Sequence, residues 1–366
     1  MKNLIYLSPV PWASFAQRPH KFVSWFQRKY GGRVLWYEPY ATRFPSFSDV
    51  WRVKSSNSPS TSLQIPDWLT VVSPGGLAIE PLPGSKVLNN FLWQAVLKQA
   101  SGFAVEGECI LAIGKPSVLA AEILKALPHC KTLYDAMDDF PAFYSGLSQF
   151  AMKRRERNIV ALVDAVWASS TLLYQRWSSK RNNVHLVYNG LDLDIIQSAR
   201  PMPINKDRRI FGYIGTIGKW FDWEIVIALA DLVPRDIVRI IGPVFKPASR
   251  TLPDNIELLP PREHARAIAE MACFDVGLIP FLRNNLTESV DPIKYYEYRS
   301  FGIPVISTSF GEMNYRKNLE GVHIVDDING LRRIIPEACK DIRSREINRD
   351  FVEANSWAAR FNQTGL

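Results

Sequence analysis

Short apolar runs alternate with amphipathic helical stretches along most of the chain, and this alternation constrains the fold more than any other feature. It begins with the apolar strand NLIYL, the helical stretch FAQRPHKFVSWFQRKY, a glycine pair and a second apolar strand, VLWY. Parallel strands joined by crossover helices produce this pattern, because the helices then cover both faces of one sheet. The sequence therefore predicts an α/β protein.

The alternation stops at a polar, proline-rich stretch, SARPMPINKDRR (198–209), and then starts again. Because 366 residues are enough for two domains, we interpret this stretch as a linker between two doubly wound, Rossmann-like domains. The predicted domains are 1–196 and 209–340, and residues 341–366 are expected to form a C-terminal helix that packs back toward the first domain. Doubly wound sheets bind ligands beyond the carboxyl ends of their strands, so we expect the two domains to face each other across a cleft.

Basic charge is concentrated in the first half of the chain. Residues 1–195 contain 21 lysines and arginines against 14 aspartates and glutamates, whereas the remaining residues contain 23 against 22. The densest basic cluster lies on a predicted helix and consists of Lys153, Arg154, Arg155 and Arg157. Such a cluster can bind nucleic acid or anionic lipid, or it can be the solvated face of a helix. The charge pattern by itself leaves these three possibilities open.

Several classes of protein are disfavoured by the sequence. The four cysteines are far apart, with no C-x-x-C pair and no histidine at ligand spacing, so neither a zinc site nor a disulfide framework is indicated. The first residues, MKNLIYLSPVPWASF, contain too short an apolar run for a signal peptide, and no run reaches the roughly 18 apolar residues of a membrane span. We therefore expect a cytoplasmic protein with reduced thiols.

The loop after the first strand, SPVPWASFAQRPH, combines aromatic and basic side chains. Trp12, Arg18 and His20 are candidates for binding a sugar or a lipid-linked acceptor, because they lie near the carboxyl end of that strand. In the alternative interpretation, Trp12 and Phe15 only cover the sheet.

A second loop of the first domain, in KTLYDAMDDF, carries three carboxylates. Asp135 belongs to the strand pattern and is compatible with a structural role, whereas Asp138 and Asp139 follow the carboxyl end of the strand. A carboxylate at this position can accept a hydroxyl proton as a general base. We favour Asp138 over Asp139, since Asp139 could instead cap the following turn.

In the second domain, GYIGTIGKWFDWE places Gly215, Thr216 and Gly218 between a strand and a helix. Glycines let backbone N–H groups approach a diphosphate, and the start of a helix adds partial positive charge. The stretch is neither a Walker motif nor a G-x-G-x-x-G fingerprint, so it indicates a phosphate loop only weakly.

The segment SVDPIKYYEYRSFGIPVIST predicts a short helix followed by a buried strand. Asp291 is expected to cap the helix, Pro292 to occupy its first position and Gly302 to end it. Lys294 and Glu297 share one face, where a lysine for phosphate oxygens and a carboxylate for ribose hydroxyls would suit a nucleoside diphosphate. The alternative is a surface ion pair worth ~0.3 kcal/mol.

These stretches resemble GT-B fold glycosyltransferases. The segment DVGLIPFLRNNLTESVDPIKYYEYRSFGIPVIST, with YIGTIGKWFDWE upstream, resembles their donor-binding domain, and RPHKFVSWFQRKYGGRVLWYEP and VYNGLD resemble their N-terminal domain. The resemblance is to bacterial surface-polysaccharide enzymes of the teichuronic-acid type and the xanthan glucuronosyltransferase type. It covers nearly the whole chain, is most specific over 273–308, and implies the GT-B fold.

The resemblance also implies roles for individual residues. It assigns nucleotide-sugar binding to the second domain, with Lys294 and Glu297 as donor ligands and Thr216, Phe281, Thr287 and Ser289 beside them. It places Asp138 on the catalytic base of the xanthan-type enzyme. Many retaining relatives carry two glutamates eight positions apart, but Ser289 stands eight positions before Glu297 here. The stereochemical outcome therefore stays open, although a carboxylate base at Asp138 suits inversion.

Together these features predict a hexosyl- or glucuronosyltransferase of cell-surface polysaccharide synthesis, such as capsule or exopolysaccharide. It would transfer a sugar from a nucleotide diphosphate donor, with UDP expected, to a lipid-linked or saccharide acceptor at the inner leaflet. The basic N-terminal domain is expected to approach the anionic inner-membrane surface, and no nucleic acid is expected as a partner. No convincing D-x-D motif is present, so we expect metal independence, with Lys294 and helix N-termini stabilising the leaving diphosphate. Two alternatives are a sugar-nucleotide epimerase of the same fold and a non-catalytic nucleotide-sugar binder.

Overall fold

The computed structural model describes residues 1–40, 65–77, 85–199, 207–342 and 346–366. The chain divides into two compact units, Met1–Val187 and Tyr188–Leu366. Residues 188–199 belong with the second unit by this division, which therefore falls before the predicted linker. Part of that linker, 200–206, lies outside the described residues.

The first unit alternates strands and helices as the sequence pattern predicts. Its strands are β1 Lys2–Leu7, β2 Val34–Tyr37, β3 Leu69–Val72, β4 Glu108–Ile113, β5 Lys131–Ala136, β6 Ala165–Ala168 and β7 Val184–Leu186. Its described helices are α1 Arg18–Tyr30, α2 Ser85–Leu92, α3 Gln94–Ala104, α4 Val118–Ala126, α5 Gly146–Leu162 and α6 Thr171–Ser178, with a 3-10 turn at Phe140–Phe143.

The seven described strands of the first unit are all parallel, in the order β3-β2-β1-β4-β5-β6-β7. The order reverses between β1 and β4, which is where an open α/β sheet leaves a crevice for ligands. One face buries aliphatic side chains such as Ile5 and Leu111, and the other buries the aromatic rings of Tyr6, Trp36 and Trp167. Because both faces are covered, the strands are apolar at nearly every position.

The second unit repeats this architecture. Its strands are β8 Ile210–Ile214, β9 Ile237–Ile241, β10 Ile256–Leu259, β11 Val276–Ile279, β12 Val305–Thr308 and β13 Val322–Val325. Its described helices are α7 Leu193–Ser198, α8 Trp223–Leu232, α9 His264–Met271, α10 Ile293–Ser300, α11 Leu331–Lys340, α12 Arg349–Ala354 and α13 Trp357–Asn362, with a 3-10 turn at Gly311–Tyr315. The six strands described in this unit are parallel and have the order β10-β9-β8-β11-β12-β13, which reverses between β8 and β11.

Helix α10 lies against the middle of the second sheet because a glycine there makes room for its Tyr298 ring. A Cβ atom on Gly277 of β11 would come within 2.5 Å of the Tyr298 ring. The Tyr298 hydroxyl lies 3.2 Å from the carbonyl oxygen of Gly212 in β8 and 3.3 Å from that of Leu278 in β11. Gly302 ends the helix with a φ of +68°, as predicted. This packing fixes α10 at the point where the strand order reverses.

The predicted C-terminal helix consists of two short helices, α12 and α13. Ser356 starts α13 as its cap, and Trp357 donates a backbone hydrogen bond to Leu191. A Cβ atom on Gly190 would lie 2.9 Å from the backbone nitrogen of Trp357, so α13 packs closely on this turn. These contacts lie within the second unit, and packing of the C-terminal segment against the first domain stays a prediction.

No helix in the described parts of the chain is both long enough and apolar enough to cross a bilayer.

Candidate functional site

The loop after β8 lies where the strand order of the second sheet reverses, and it has backbone N–H groups without acceptors in the described structure. Gly215 has a φ of +154°, and its amide donates to the carbonyl oxygen of Ile241. Within the described structure, the amides of Thr216 and Gly218 donate to no protein acceptor. The loop can therefore offer N–H groups to an anion. The start of α8 adds few further N–H donors for an anion, because the Asp222 carboxylate already accepts hydrogen bonds from the first amides of that helix.

Lys294 and Glu297 on α10 lie beside this loop. The Nζ atom of Lys294 is 2.6 Å from Oε2 of Glu297, and the Cε atom of Lys294 would lie 3.6 Å from a Cβ on Gly215. The Lys294 side chain is 24% exposed and that of Glu297 is 5% exposed. The pair is therefore not a solvated surface ion pair, since its carboxylate is nearly buried and its lysine lies between that carboxylate and the Gly215 loop.

The Glu297 carboxylate is held in its ionised form. Burial by itself would raise its pKa, but the neighbouring Lys294 ammonium and His264 lower the pKa to about 2. An ionised carboxylate accepts hydrogen bonds without donating any, so it can bind two adjacent hydroxyl groups. A ribose presents such a pair of hydroxyls.

His264 is a site residue that the sequence analysis missed. It starts α9 after the carboxyl end of β10, with Nε2 3.5 Å from Oε1 of Glu297 and Nδ1 3.6 Å from Oδ2 of Asp192. In such sheets a helix that follows the carboxyl end of a strand begins at the ligand-binding edge. This rule could have identified His264 from the sequence. His264 approaches the Glu297 oxygen farther from Lys294 and so helps to orient the carboxylate.

The other predicted donor residues lie in the loop between β11 and α10. The Phe281 ring packs against Tyr213 and Phe310. The backbone of Phe281 pairs with that of Phe221 in an isolated antiparallel β-bridge. Thr287 is 1% exposed, and its hydroxyl bonds to the carbonyl oxygens of Leu282 and Asn284. Thr287 therefore shapes the loop. Ser289 is 3% exposed, and its hydroxyl has no hydrogen-bond partner in the described chain.

The prediction that Asp291 caps α10 is wrong. The helix begins after Pro292, and no side chain caps it. The Asp291 carboxylate instead accepts hydrogen bonds from the backbone N–H of Asn189 at 2.7 Å and from Arg316 at 2.6 Å, with the Tyr296 hydroxyl 3.1 Å away. Asn189 and Arg316 are distant in sequence, and the charge-assisted hydrogen bond from Arg316 stabilises a buried carboxylate more than a bond to a helix amide would.

In the first unit, Asp138 is the free carboxylate at the end of β5. It is half-buried, and its side chain makes no hydrogen bond or ion pair with any residue that the structure describes. Burial raises its pKa to about 7; Arg18 opposes this rise, and the Asp135 and Asp139 carboxylates add to it. A general base works best with a pKa near the operating pH, so Asp138 is suited to accept a hydroxyl proton.

Asp139 is engaged in an ion pair instead. Its Oδ2 atom lies 2.7 Å from Nη2 of Arg176, while its buried Oδ1 atom has no partner. It does not cap the following 3-10 turn. Of the two catalytic candidates, Asp138 is therefore the one whose carboxylate is available.

Arg18, a predicted acceptor ligand, is 2% exposed and paired with Asp135, which is fully buried. The guanidinium donates from Nε at 3.0 Å and from Nη2 at 2.8 Å to Oδ1 of Asp135, and from Nη1 at 2.8 Å to the carbonyl oxygen of Val187. These hydrogen bonds join the start of α1 to β5 and to Val187, the residue after β7. It supports a structural role for Arg18, and the structural role considered for Asp135.

Replacing Arg18 with methionine is expected to destabilise the first unit by about 3–5 kcal/mol, because Asp135 would be left buried without its counter-charge. Chemical denaturation of the full chain measures the loss. The double variant R18M/D135L removes both charges and should recover much of it. A stable R18M protein with impaired acceptor binding would instead support the predicted acceptor role.

Trp12 and His20, the other acceptor candidates, form one packed cluster. His20 is 4% exposed; its Nδ1 accepts a hydrogen bond from the Gln17 amide, and its Nε2 lies 3.1 Å from the carbonyl oxygen of Trp12. Burial lowers the pKa of His20, which favours the neutral ring. Because Nδ1 accepts from the Gln17 amide, the proton of the neutral ring is on Nε2, which donates it to the carbonyl oxygen of Trp12. Trp12 is 7% exposed and packs edge-on against Trp36. These positions favour the interpretation that Trp12 covers the sheet.

The described side chains contain no group of three or more histidines, cysteines, aspartates or glutamates arranged to hold a metal ion.

Comparison with solved structures confirms the α/β class and the GT-B fold. The chain matches Anabaena Alr3699/HepE in complex with UDP at a TM-score of 0.65 and 13% identity, covering 100% of this chain and 98% of that one. It matches the lipopolysaccharide outer core galactosyltransferase WaaB at a TM-score of 0.61 and 12% identity, with 100% and 99% covered. At these identities the likeness concerns the fold.

The resemblance to a teichuronic-acid-type enzyme is also confirmed. The chain is 24% identical over 262 residues to the Bacillus subtilis (strain 168) protein named "Putative teichuronic acid biosynthesis glycosyltransferase TuaH". The match covers 64% of this chain and 65% of that protein, so it spans slightly less than two thirds of the relative. No family model matches the chain.

Proposed function

We propose that this chain is a glycosyltransferase that transfers a sugar from a UDP-sugar to an acceptor hydroxyl. The observation that carries the proposal is the Lys294–Glu297 pair beside the free amides of the Gly215 loop, where the strand order of the second sheet reverses between β8 and β11. A cation and N–H donors suit a diphosphate, and an ionised carboxylate suits ribose hydroxyls. UDP as the nucleotide is supported by the UDP bound to Alr3699/HepE.

In this proposal the first unit binds the acceptor and supplies the base. Asp138 removes the proton from the acceptor hydroxyl as that oxygen attacks the sugar carbon, and the UDP leaving group departs with the electron pair of the broken bond. Lys294 and the loop amides stabilise the charge that develops on the diphosphate. His264 holds Glu297 in place, and Thr287 shapes the loop that carries Phe281 and Ser289.

The proposed acceptor is a lipid-linked saccharide of cell-surface polysaccharide synthesis, reached from the cytoplasmic side at the inner leaflet of the membrane. Two observations support it. The names of TuaH and WaaB refer to teichuronic acid biosynthesis and the lipopolysaccharide outer core. The excess of basic residues in the first half of the chain suits an anionic membrane surface.

Incubation with radiolabelled UDP-sugars, with and without bacterial membrane lipid extract, tests the proposal against its two alternatives. Label that moves into the lipid fraction supports the transferase. A donor recovered as its epimer would indicate an epimerase, and an unchanged donor that binds without reacting would indicate a binding protein.

Metal-independent transfer is a further expected result. Lys294 and the loop amides supply positive charge to the leaving diphosphate, so treatment with EDTA should leave the initial rate of transfer unchanged. The same assay with added Mg²⁺ or Mn²⁺ is the comparison. A rate that falls with EDTA and returns with either metal would contradict the expectation.

A further inference from the structure

An apolar and basic surface runs along the exposed face of α5 and the 3-10 turn before it. Its apolar part is formed by Phe143, Leu147 and Phe150, which are 53%, 84% and 68% exposed. Large apolar side chains this exposed and this close together are uncommon on a protein that stays in water, and they mark contact surfaces. We call these three residues, with Lys153, Arg154 and Arg157, the α5 surface.

The spacing of these residues places the apolar and basic parts side by side. Leu147, Phe150, Arg154 and Arg157 follow one another at intervals of three or four residues, so they lie on one side of the helix. The opposite side is buried: Met152, Glu156, Ile159 and Val160. Of these, Ile159 and Val160 belong to the hydrophobic core of the sheet, and Glu156 accepts a hydrogen bond from Tyr134 of β5. The helix is therefore fixed to the first unit by one face and presents the α5 surface with the other.

The basic residues of this surface have no counter-charges among the residues that the structure describes. Lys153, Arg154 and Arg157 are exposed and form no ion pair with any residue in the described ranges. Unpaired cations beside exposed phenylalanine and leucine match the interfacial region of an anionic bilayer, where apolar side chains enter the acyl boundary and cations contact lipid headgroups.

We propose that the α5 surface docks the first unit on an anionic lipid bilayer, with Phe143, Leu147 and Phe150 inserted. The surface continues directly from the loop that carries Asp138, since the 3-10 turn at Phe140–Phe143 and α5 follow that residue in the chain. Docking at this place would bring the candidate base close to the bilayer. This inference gives a site to the membrane contact in the proposed function, and it rests on that function only for the lipid-linked acceptor.

Co-sedimentation of the full chain with vesicles tests the proposal. We expect binding to vesicles of phosphatidylcholine mixed with phosphatidylglycerol, and much weaker binding to phosphatidylcholine alone. The neutralised variant K153Q/R154Q/R157Q should bind the mixed vesicles about a hundredfold less tightly. The variant F143S/L147S/F150S should bind them at least ~10-fold less tightly.

Two matched control variants use exposed residues elsewhere. V105S/L162S removes apolar side chains that are 84% and 52% exposed, of which Val105 follows α3 and Leu162 is the last residue of α5. K317Q/R332Q/K340Q removes the same net charge from the second unit. Both should bind vesicles like the unchanged chain. Circular dichroism melts of all four variants establish that they are folded.

Insertion is measured separately with a fluorophore. A nitrobenzoxadiazole group on L147C should shift its emission to the blue with mixed vesicles, whereas the same group on L162C should not, and the labelled unchanged chain gives the background from native thiols. Equal binding by the serine variant and its control, or no shift at L147C, would overturn the proposal. Concentration-dependent self-association that the serine variant abolishes, without lipid binding, would assign the surface to a second copy and also overturn it.

Calorimetric titration with UDP separates this inference from the proposed function. A chain that binds UDP but not vesicles would overturn the docking surface alone. A chain that binds vesicles through the α5 surface but neither binds UDP nor transfers sugar would leave the docking surface standing and overturn the proposed function.

Discussion

Replacing Asp138 with asparagine is expected to reduce sugar transfer by roughly 10²–10⁴-fold, the range in which a general base contributes to catalysis. Asparagine keeps the shape of the side chain but cannot accept the hydroxyl proton. Because the Asp138 side chain makes no hydrogen bond or ion pair with the described residues, its replacement should leave the fold intact. Single-turnover transfer from a labelled UDP-sugar measures the effect, and calorimetric titration with UDP should give the same affinity as the unchanged chain.

The matched control is Asp139→Asn. Asp139 is paired with Arg176, so this variant should lose stability while the folded fraction retains transfer activity. Loss of transfer in D139N but not in D138N would exchange the roles of the two residues. Turnover of D138N within about threefold of the unchanged chain would exclude Asp138 as the base.

The rate of transfer should also depend on pH in a defined direction. Burial favours the neutral form of Asp138 and raises its pKa to about 7, and only the ionised form can act as a base. The value of kcat/KM should therefore fall as the pH drops below about 7 and level off above it. An acid limb near the usual carboxyl pKa of ~4 would mean that another carboxylate carries the proton.

The fold could be predicted from the sequence because strand and helix periodicity is a local property. The run CILAIG and the helical stretch from about 147 to 163 became β4 and α5 with only small shifts of their bounds. Asp138 could be found for the same reason, since the carboxyl end of a strand is visible in the sequence and catalytic groups lie there.

Contacts that depend on the order of the strands could not be predicted in this way. Arg18 pairs with Asp135 across a separation of 117 residues, and Asp291 accepts from the Asn189 amide across 102. From the sequence, Asn189 and Gly190 indicate only a turn, and Asp291 looks like a cap. The fold of the first unit brings Arg18 of α1 to Asp135 of β5. In the second unit the buried Asp291 carboxylate pairs with the Arg316 cation rather than with the amides at a helix end.

Substitutions in the Lys294–Glu297 pair are expected to separate the two halves of nucleotide recognition. Lys294→Gln removes charge-assisted hydrogen bonds to the diphosphate, each worth about 1.5–3 kcal/mol, so UDP should bind roughly 10- to 100-fold more weakly. UMP should lose less affinity than UDP, and uridine almost none. Calorimetric titration with the three ligands measures the series, and Lys317→Gln, a lysine exposed elsewhere on the second unit, is the control.

Glu297→Gln should give the opposite pattern, because UDP, UMP and uridine all carry the ribose hydroxyls that the carboxylate is proposed to bind. All three should weaken by a similar factor of about 10 or more. Lys294 and Glu297 also position each other, with 2.6 Å between Nζ and Oε2, so the uridine measurement is the one that separates direct contacts from this indirect effect. If K294Q weakened uridine as much as UDP, the lysine would act by holding Glu297 and the diphosphate would have to be bound by the Gly215 loop.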